Sequence, residues 1–321
     1  MKAQILVRPN ELDFVEIQMP QPEDDEVLVK IKTASICNGS DPLLLSGVHL
    51  SSIPVVFGHE SFGEIVQCGK AVKDFEIGDR VAWWFAMGSF AEYVCVSPND
   101  VAMVKLPDFI SDDEGSMFEV VGAASRAVEA ADIRKGDKVL VIGLGPSGLI
   151  MSQIARNLGA DKVFGWDLYP MRRNLGLAAG CDEVFDNNCR DVVENTLNIA
   201  GEADIVIDAF ANDLLPDAPT FDNGVKVLRK GGTLISYGHP RNRRTFDPYI
   251  FQSKTPMMRG PVNDLTQIRD YYRKAVNYCK DGTLKLTPLI TGRVPLEKVE
   301  EGIKLIVEHP DQYLKILVDI Q

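Results

Sequence analysis

The pattern of apolar and polar positions changes twice along the chain, which divides it into three stretches. In the first hundred residues, short apolar runs separated by Gly, Pro and Asp turn signals predict a mainly β region. These runs lie at 1–7, 27–31, 63–66, 80–84 and 91–96. From about Asp112 the spacing becomes helical and continues to Ala131, and Ser111 begins a segment with the residue types of an N-terminal helix cap.

The middle stretch alternates between near-continuous apolar runs and amphipathic segments. Strands that are apolar on both faces, with helices between them, predict a parallel sheet covered on both sides. The predicted strands are Lys138–Ile142, Lys162–Trp166, Glu183–Phe185, Asp204–Ala209 and Gly232–Tyr237. The predicted helices are Ser147–Leu158, Pro170–Ala179, Asp191–Ile199 and Asn223–Leu228.

The last stretch, from about Val262, mixes both kinds of element. Its pattern predicts a helix at 264–280, an extended segment at 284–294, a second helix at 296–308 and a final strand at 313–318. The fold class is therefore α/β, with a doubly wound nucleotide-binding domain inserted between two pieces of a mainly β domain. The predicted boundaries are 1–121, 122–262 and 263–321.

Composition narrows the classes of function. The net charge of −12, with 34 basic against 46 acidic residues, disfavours a nucleic-acid partner because the chain has no excess of cations. No apolar run approaches the ~20 residues that span a bilayer, and the N-terminus is predicted to be a strand and not a signal peptide. Six scattered cysteines without a CxxC pair favour a reducing, cytoplasmic location.

A glycine-rich turn in the middle of the chain has the context of a dinucleotide site. It follows the strand 138–142, opens a helix and precedes a second strand that ends in Asp167, 19 residues beyond the last glycine. The predicted cofactor-binding residues of the turn are Gly143, Leu144, Gly145, Pro146, Ser147 and Gly148. The first glycine permits a tight turn, the second lets the backbone approach a pyrophosphate, and the third allows the helix to pack closely on the sheet.

The acidic residue after the second strand favours NAD as the dinucleotide. Asp167 can accept hydrogen bonds from ribose hydroxyls and would repel a 2′-phosphate. Arg172 and Arg173 leave NADP open, because either guanidinium could pair with that phosphate.

Residues before this turn include the ligand types of a catalytic zinc site. Zinc takes thiolate, imidazole and carboxylate ligands, and a catalytic site has three of them with one open position. Cys37 lies between a predicted strand and a polar turn, and His59 follows Gly58 at the end of an apolar run. Taken alone, each residue is more often structural than a ligand.

Several motifs in the same order resemble the zinc-containing members of the medium-chain dehydrogenase/reductase superfamily, and most of all their polyol and sorbitol dehydrogenase-like branch. The resemblance covers nearly the whole chain and implies a GroES-like catalytic domain around the Rossmann domain. The motifs that carry it are at 58–64, 78–81, 88–93, 105–108, 143–148 and 295–298.

The resemblance assigns roles to particular residues. Cys37, His59 and Glu119 match the three zinc ligands, and Asp41 matches the carboxylate that orients the zinc-bound histidine. One thiolate and one carboxylate already neutralise Zn²⁺, so Glu60 is interpreted as an exchangeable ligand or as a group beside the ligands.

Three departures from the family pattern bear on the chemistry. An extra residue separates Cys37 from Ser40, the residue that matches the first member of the proton relay. No histidine stands at the following relay position, and His49 is interpreted as a solvated loop residue. The four-cysteine lobe of the structural zinc is missing between Val81 and Gly88, so we expect one catalytic zinc per subunit and no structural zinc.

Other segments leave alternatives open. Trp83, Trp84, Phe85 and Met87 are expected to form either an apolar wall for the substrate or part of the core. The basic run 241–244 could meet a substrate phosphate but is more typical of a solvated loop or a subunit contact. Ala209 and Tyr237 lie in segments that resemble the strand ends lining the nicotinamide side of the cofactor site.

These observations lead to one hypothesis and two alternatives. The hypothesis is a zinc-dependent oxidoreductase that transfers a hydride between NAD(H) and a secondary alcohol, polyol or sugar-like substrate. A zinc-free enone or quinone reductase of the same superfamily is the first alternative, supported by the extra residue after Cys37. A non-catalytic NAD-binding protein is the second. The resemblance also implies a homo-oligomer, a dimer or a tetramer.

Overall fold

A computed structural model describes residues 1–48, 50, 52–210, 220–238, 246–261 and 263–320. The chain forms two compact units. The first unit comprises Met1–Gly122, Asp264–Asp281 and Leu286–Gln321, and the second comprises Ala123–Asn263 and Gly282–Lys285. His49 and the basic run 241–244 lie outside the described residues.

The first unit is mainly β. Its described strands are β1 (Lys2–Arg8), β2 (Glu11–Glu16), β3 (Val27–Ser35), β4 (Val55–Val56), β5 (Glu60–Cys68), β6 (Arg80–Trp84), β7 (Tyr93–Val96), β8 (Ala102–Lys105), β15 (Ile290–Pro295) and β16 (Lys315–Asp319). Its described helices are α1 (Ser40–Leu45), α2 (Asp112–Gly115), α9 (Leu265–Lys280), α10 (Val299–Glu308) and the beginning of α3 (Phe118–Ala130).

Two sheets organise this unit. A small antiparallel sheet has the order β2-β1-β4, and the large sheet has the order β15-β16-β3-β5-β6-β8, with β7 also paired to β3. In the large sheet, Ser35 at the end of β3 lies opposite Glu60 on one side and opposite Leu317 of β16 on the other. This register brings the end of β3, the start of β5 and the start of β16 together.

The core of the first unit consists of the buried side chains of these strands together with one face of α10. Val29, Ile31, Ile316 and Val318 are fully buried within it. Because burial of an aliphatic side chain contributes about 1.5–3 kcal/mol, this cluster holds the ends of the central strands in place.

The second unit is a parallel sheet with helices, as predicted. Its described strands are β9 (Lys138–Ile142), β10 (Lys162–Asp167), β11 (Glu183–Asp186), β12 (Ala203–Asp208), β13 (Leu228–Ser236) and β14 (Met257–Arg259). Its described helices are α4 (Pro146–Asn157), α5 (Pro170–Ala178), α6 (Val192–Ile199), α7 (Thr220–Val227), α8 (Pro248–Lys254) and the remainder of α3.

The strand order of this sheet is β11-β10-β9-β12-β13-β14, with all neighbours parallel. It is the doubly wound order in which a dinucleotide binds at the carboxyl ends of the central strands. Leu140, Ile142, Phe164 and Trp166 are fully buried in its core, which explains the near-continuous apolar runs of the sequence.

The structure differs from the predicted elements at several places. The helix predicted from Asp112 to Ala131 is divided into α2, which ends at Gly115, and α3, which begins at Phe118. Strand β14 and helix α8 of the second unit were not predicted. The predicted cap of α2 is confirmed, since Ser111 and Glu114 form a capping box. The short helix α1 was not predicted within the β region.

Among the described residues, no helix combines the length and the apolar character that crossing a bilayer requires.

Candidate active site

Three metal-ligating side chains meet at the end of β3 and the start of β5. Ligand atoms of Cys37, His59 and Glu60 all lie within 4.8 Å of one another. His59 and Glu60 are buried and Cys37 is half-buried. A thiol, an imidazole and a carboxylate are the donor types that Zn²⁺ prefers, so these residues fit a zinc ion.

The turn after β3 places Cys37 in this group despite the extra residue. The Cys37 N–H donates to Asp41 Oδ2 at 2.8 Å, and the Ser40 N–H donates to Cys37 Sγ at 3.4 Å. Asn38 anchors the turn by donating from its side-chain amide to the Leu314 carbonyl, at 2.7 Å. Gly39 is exposed, and a Cβ added to it would have no atom within 4 Å, so the extra residue of this turn is tolerated at the surface.

A glycine directs His59 into the group. Gly58 has φ of +82°, and a Cβ there would lie 2.6 Å from the Phe90 ring, so the position requires glycine. The His59 Nδ1 lies 3.1 Å from Asp41 Oδ1, which leaves Nε2 as the ring nitrogen for a metal.

The Asp41 contact also affects the pKa of the ring. Burial lowers the pKa of His59, but the charge and hydrogen bond of Asp41, together with Cys37, more than offset it and hold the pKa well above its ordinary value.

Glu60 is held by a buried lysine that the sequence analysis missed. Lys315 of β16 is 1% exposed, and its ammonium donates to Glu60 Oε2 and, at 3.0 Å, to the Ile36 carbonyl. Ser35 Oγ donates to the same carboxylate oxygen at 2.5 Å. The other oxygen, Oε1, is buried with no hydrogen-bond partner among the described residues, which leaves it available to a metal.

The charges of Glu60 and Lys315 support each other. Burial would raise the pKa of Glu60, but Lys315, with His59, lowers it below the ordinary value. Burial would lower the pKa of Lys315, but Glu60 raises it. The pair is therefore an ion pair inside the protein, where separation from water makes each partner depend on the other.

Glu119 lies in the first turn of α3 and is 5% exposed. Burial raises the pKa of Glu119 to about 7. The charges of Glu60 and Asp41 act in the same direction, whereas those of His59 and Lys315 lower the pKa. Glu119 shares the electrostatic environment of the other acidic groups but does not belong to the group of ligand atoms within 4.8 Å.

The four aromatic and sulfur side chains after Val81 have different environments. Trp83 is 1% exposed and belongs to the core, and Met87 packs partly buried against it. Phe85 is 45% exposed, and its ring centroid lies 4.9 Å from that of His59. Its φ of +45° is unusual for a bulky residue, and such conformations concentrate at functional sites.

The glycine turn of the second unit is stereochemically constrained. Gly143 has φ of +90°, and a Cβ on Gly148 would lie 1.9 Å from the Gly143 carbonyl oxygen. Gly145 is the N-cap of α4 and has nothing within 4 Å of an added Cβ. Helix α4 therefore begins with Pro146 directly over the end of β9, where helix N–H groups without a partner inside the helix can bind an anion.

Asp167 connects the turn to the second strand. Its carboxylate accepts from the Leu144 N–H at 2.8 Å and from the Tyr169 N–H at 2.9 Å. Arg172 stacks on the Tyr169 ring, 4.9 Å from its centroid, and lies 4.0 Å from the Asp167 carboxylate. Burial raises the pKa of Asp167 despite the opposing charge of Arg172. Arg173 instead bonds the main-chain carbonyls of residues 167 and 168.

Ala209 and Tyr237 directly follow β12 and β13, at the carboxyl ends of these strands. The Ala209 N–H donates to the Ile142 carbonyl at the end of β9, and the Tyr237 N–H donates to the Asp208 carbonyl. The hydroxyl groups of Tyr237 and Ser147 are hydrogen-bonded to each other at 3.0 Å.

Two protein families match the sequence, one mainly in each unit. Residues 23–108 match the alcohol dehydrogenase GroES-like domain, and residues 146–263 match the zinc-binding dehydrogenase domain.

Individual proteins resemble the chain over almost their whole length. D-xylulose reductase A of Aspergillus oryzae is 30% identical, with 91% of this chain and 90% of that protein aligned. Sorbitol dehydrogenase 1 of Saccharomyces cerevisiae is 26% identical, with 98% and 97% aligned. The crystal structure of 2R,3R-butanediol dehydrogenase from Bacillus subtilis has the same fold, with a TM-score of 0.84 over 99% of both chains at 23% identity.

Proposed function

The chain belongs to the zinc-containing medium-chain dehydrogenase/reductase superfamily, in its polyol dehydrogenase branch, and from this we propose that it is an NAD-dependent zinc dehydrogenase of polyols or related secondary alcohols. The observation that carries the proposal is the group formed by Cys37, His59 and Glu60, whose ligand atoms lie within 4.8 Å of one another.

Cys37 and His59 are the proposed fixed ligands of one zinc ion per subunit. The third ligand is a carboxylate, either Glu60 as the geometry favours or Glu119 as the family pattern favours. Asp41 orients the imidazole through its 3.1 Å contact with Nδ1. A zinc ion held there supplies Lewis-acid chemistry for an alcohol or carbonyl group, and NAD supplies the hydride exchange.

Two further side chains of the first unit have proposed roles toward the substrate. Ser40 lies at the first position of α1, with its N–H on the Cys37 sulfur, and we assign it the removal of the hydroxyl proton. Phe85 covers one side of His59 with an apolar ring, which limits the access of water to the metal ligand.

The glycine turn and its partners form the proposed coenzyme site. Residues 143–148 supply the turn and helix N-terminus for the pyrophosphate, and Asp167 is the proposed acceptor for the adenosine ribose. Arg172 is the proposed neighbour of the same ribose, and Ala209 and Tyr237 the proposed neighbours of the nicotinamide half.

The substrate class follows from the relatives. Proteins named for D-xylulose and sorbitol align with nine-tenths or more of this chain, which favours a polyol and its ketose form. The same relatives disfavour a zinc-free enone or quinone reductase and a non-catalytic binding protein.

We further propose a cytoplasmic homo-oligomer. All six cysteines are free, which agrees with a reducing compartment. The number of subunits is open and is measurable by light scattering of the purified protein.

Metal analysis of protein purified without chelator tests the proposal. We expect about one zinc per chain, and a loss of zinc in Cys37→Ser because a hydroxyl is a poor ligand for this ion. Cys189→Ser, at an exposed cysteine, is the matched control and should keep its zinc. Comparison of Glu60→Gln with Glu119→Gln identifies the carboxylate ligand. Wild-type protein without zinc would contradict the proposal.

A substrate screen by NADH absorbance tests the reaction class. We expect NAD reduction with pentitols or hexitols, and little with primary aliphatic alcohols. Activity with quinones alone, or equal rates after zinc removal, would favour the zinc-free alternative.

A further inference from the structure

The bond between Ser147 and Tyr237 crosses the end of the sheet at the proposed coenzyme site. Ser147 is in the first turn of α4, which follows β9, whereas Tyr237 directly follows β13. Strand β12 lies between these two strands, so β9 and β13 are about 9–10 Å apart. The two hydroxyl groups therefore meet beyond the carboxyl end of β12, at 3.0 Å.

The backbone below this bond is closely packed. A Cβ on Gly238 would lie 2.2 Å from the Phe210 carbonyl oxygen, and a Cβ on Gly143 would lie 3.2 Å from Ala209 backbone atoms. The Tyr237 and Gly238 N–H groups both donate to the Asp208 carbonyl, at 3.0 and 2.9 Å. The three strand ends thus fix the position from which the Tyr237 side chain reaches α4.

The chemistry of the two hydroxyl groups gives the bond a direction when a phosphate is present. A pyrophosphate offers only acceptor oxygens, and each hydroxyl has a single proton to donate. The distance allows either hydroxyl to donate, but the phenol is the more acidic donor. When a phosphate is present we therefore assign the donation to Tyr237, which leaves the serine proton for the phosphate. If the Ser147 hydroxyl does not accept a hydrogen bond from Tyr237, it can instead donate its proton to the main-chain carbonyl four residues earlier, as serine often does in helices.

We propose that Tyr237 is a positioning residue that directs the Ser147 hydroxyl proton toward the pyrophosphate of the coenzyme. This inference rests on the proposed coenzyme site. It extends that site by a donor chain, from Tyr237 to Ser147 to phosphate, in which the tyrosine acts through the serine and both residues belong to the second unit.

Calorimetric binding of ADP-ribose to variants tests the donor chain, since ADP-ribose contains the pyrophosphate without the nicotinamide. We expect Ser147→Ala to raise the Kd about tenfold and Tyr237→Phe to raise it about three- to tenfold. In the Ser147→Ala background, Tyr237→Phe should have no further effect, because its action requires the serine. Ser147→Thr, which keeps a hydroxyl, should retain most of the affinity.

Controls separate this role from a structural one. Tyr249→Phe changes an exposed tyrosine in the same unit and should leave all affinities unchanged. Adenosine lacks phosphate, so its affinity should not change in Tyr237→Phe, whereas a loosened site would weaken both ligands.

Three results would overturn the inference. They are an unchanged Kd for ADP-ribose in Tyr237→Phe, an equal loss of adenosine affinity, and a Tyr237→Phe effect that persists without the serine. If wild-type protein binds neither NADH nor NADPH, the proposed function fails and the inference with it. If wild-type protein binds NADH but the affinities of the variants differ from those expected above, the proposed function stands and only the inference fails.

Discussion

At the residue scale, the ion pair of Glu60 and Lys315 places two opposite charges inside the first unit. Both side chains are at most 1% exposed, and removal of one partner leaves a charge inside the protein. We expect Lys315→Met to lower the free energy of unfolding by about 3 kcal/mol, measured by urea denaturation.

Two comparisons sharpen this prediction. Lys304→Met removes a lysine whose partner Glu300 is on the surface, and it should change the free energy of unfolding far less than Lys315→Met does. The double variant with Glu60→Gln should recover part of the loss, because it removes both charges. Equal effects of the two lysine substitutions would contradict a buried pair.

The cysteines should differ in reactivity. Burial raises the pKa of Cys181 to about 11 and that of Cys279 to about 12, so at pH 8 both are thiols and react slowly. Their alkylation should accelerate as the pH rises toward these values, because only the thiolate reacts. Cys189 is exposed and should react first. Mass spectrometry of iodoacetamide-treated protein at several pH values measures this order, and early labelling of Cys279 at pH 8 would contradict it.

Local motifs, with the family resemblance that they support, predicted part of the candidate site. Cys37, His59 and Asp41 stand in recognisable motifs within the sequence, so a local pattern could indicate them. Lys315 and Ser35 could not be predicted in the same way, since the register of β16, β3 and β5 decides their contact with Glu60. A lysine inside the apolar run 314–318 was the available signal, because a lysine is rarely buried without a partner.

At the scale of elements, two glycines of the turn from β9 to α4 are expected to serve different purposes, Gly148 in folding and Gly145 in binding. Gly145→Ala places a Cβ in open space, whereas Gly148→Ala places one 1.9 Å from the Gly143 carbonyl oxygen. We expect Gly145→Ala to keep the free energy of unfolding within about 1 kcal/mol and to weaken NADH binding at least about tenfold.

Gly148→Ala is the matched comparison at the same turn. It should lower the free energy of unfolding by about 1–3 kcal/mol, because α4 must move away from the strand end. Chemical denaturation and fluorescence titration with NADH measure the two effects. Normal NADH affinity in Gly145→Ala would contradict the close approach of a pyrophosphate to this backbone.

Five of the six described strands of the second unit were predicted within a few residues because buried parallel strands are apolar on both faces. Strand β14 is exposed throughout and helix α8 has no buried residue, so neither has a pattern of buried positions, and neither was predicted. Helix α1 and the break between α2 and α3 were also not predicted, because their positions depend on contacts with residues distant in sequence, such as those of α2 with β3 and β5. Local periodicity contains no information about such contacts.

At the scale of the whole molecule, each unit should be stabilised by its own ligand. NADH at about 100 times its Kd should add about 2.7 kcal/mol to the stability of the state that binds it. Hydrogen exchange should then slow at the strand ends of the second unit, near 143–148 and 236–238. Chelation of zinc should instead accelerate exchange near residues 35–41 and 58–60. The opposite distribution, measured by mass spectrometry, would contradict the assignment of the two sites.

The fold of the whole molecule was predictable because the sequence patterns that indicate it, alternating strands and helices and several family motifs, occur repeatedly along the chain. The α/β class, the inserted sheet and the family are confirmed by the strand order and by the two matching domain families. The substrate could not be predicted in the same way, because one fold supports many functions and the local site decides among them.

The bond between Glu60 and Lys315 joins residues 255 positions apart in the chain. A ribosome that adds about 5–20 residues per second needs about 13–50 s to pass from one to the other. During that interval the nascent chain contains Cys37 and His59 but lacks Lys315, whose ammonium holds Glu60. In the same interval nearly all of the second unit is synthesised as one uninterrupted segment. Assembly of the complete proposed metal site is therefore a late event of biosynthesis, after the unit with the proposed coenzyme site has been translated.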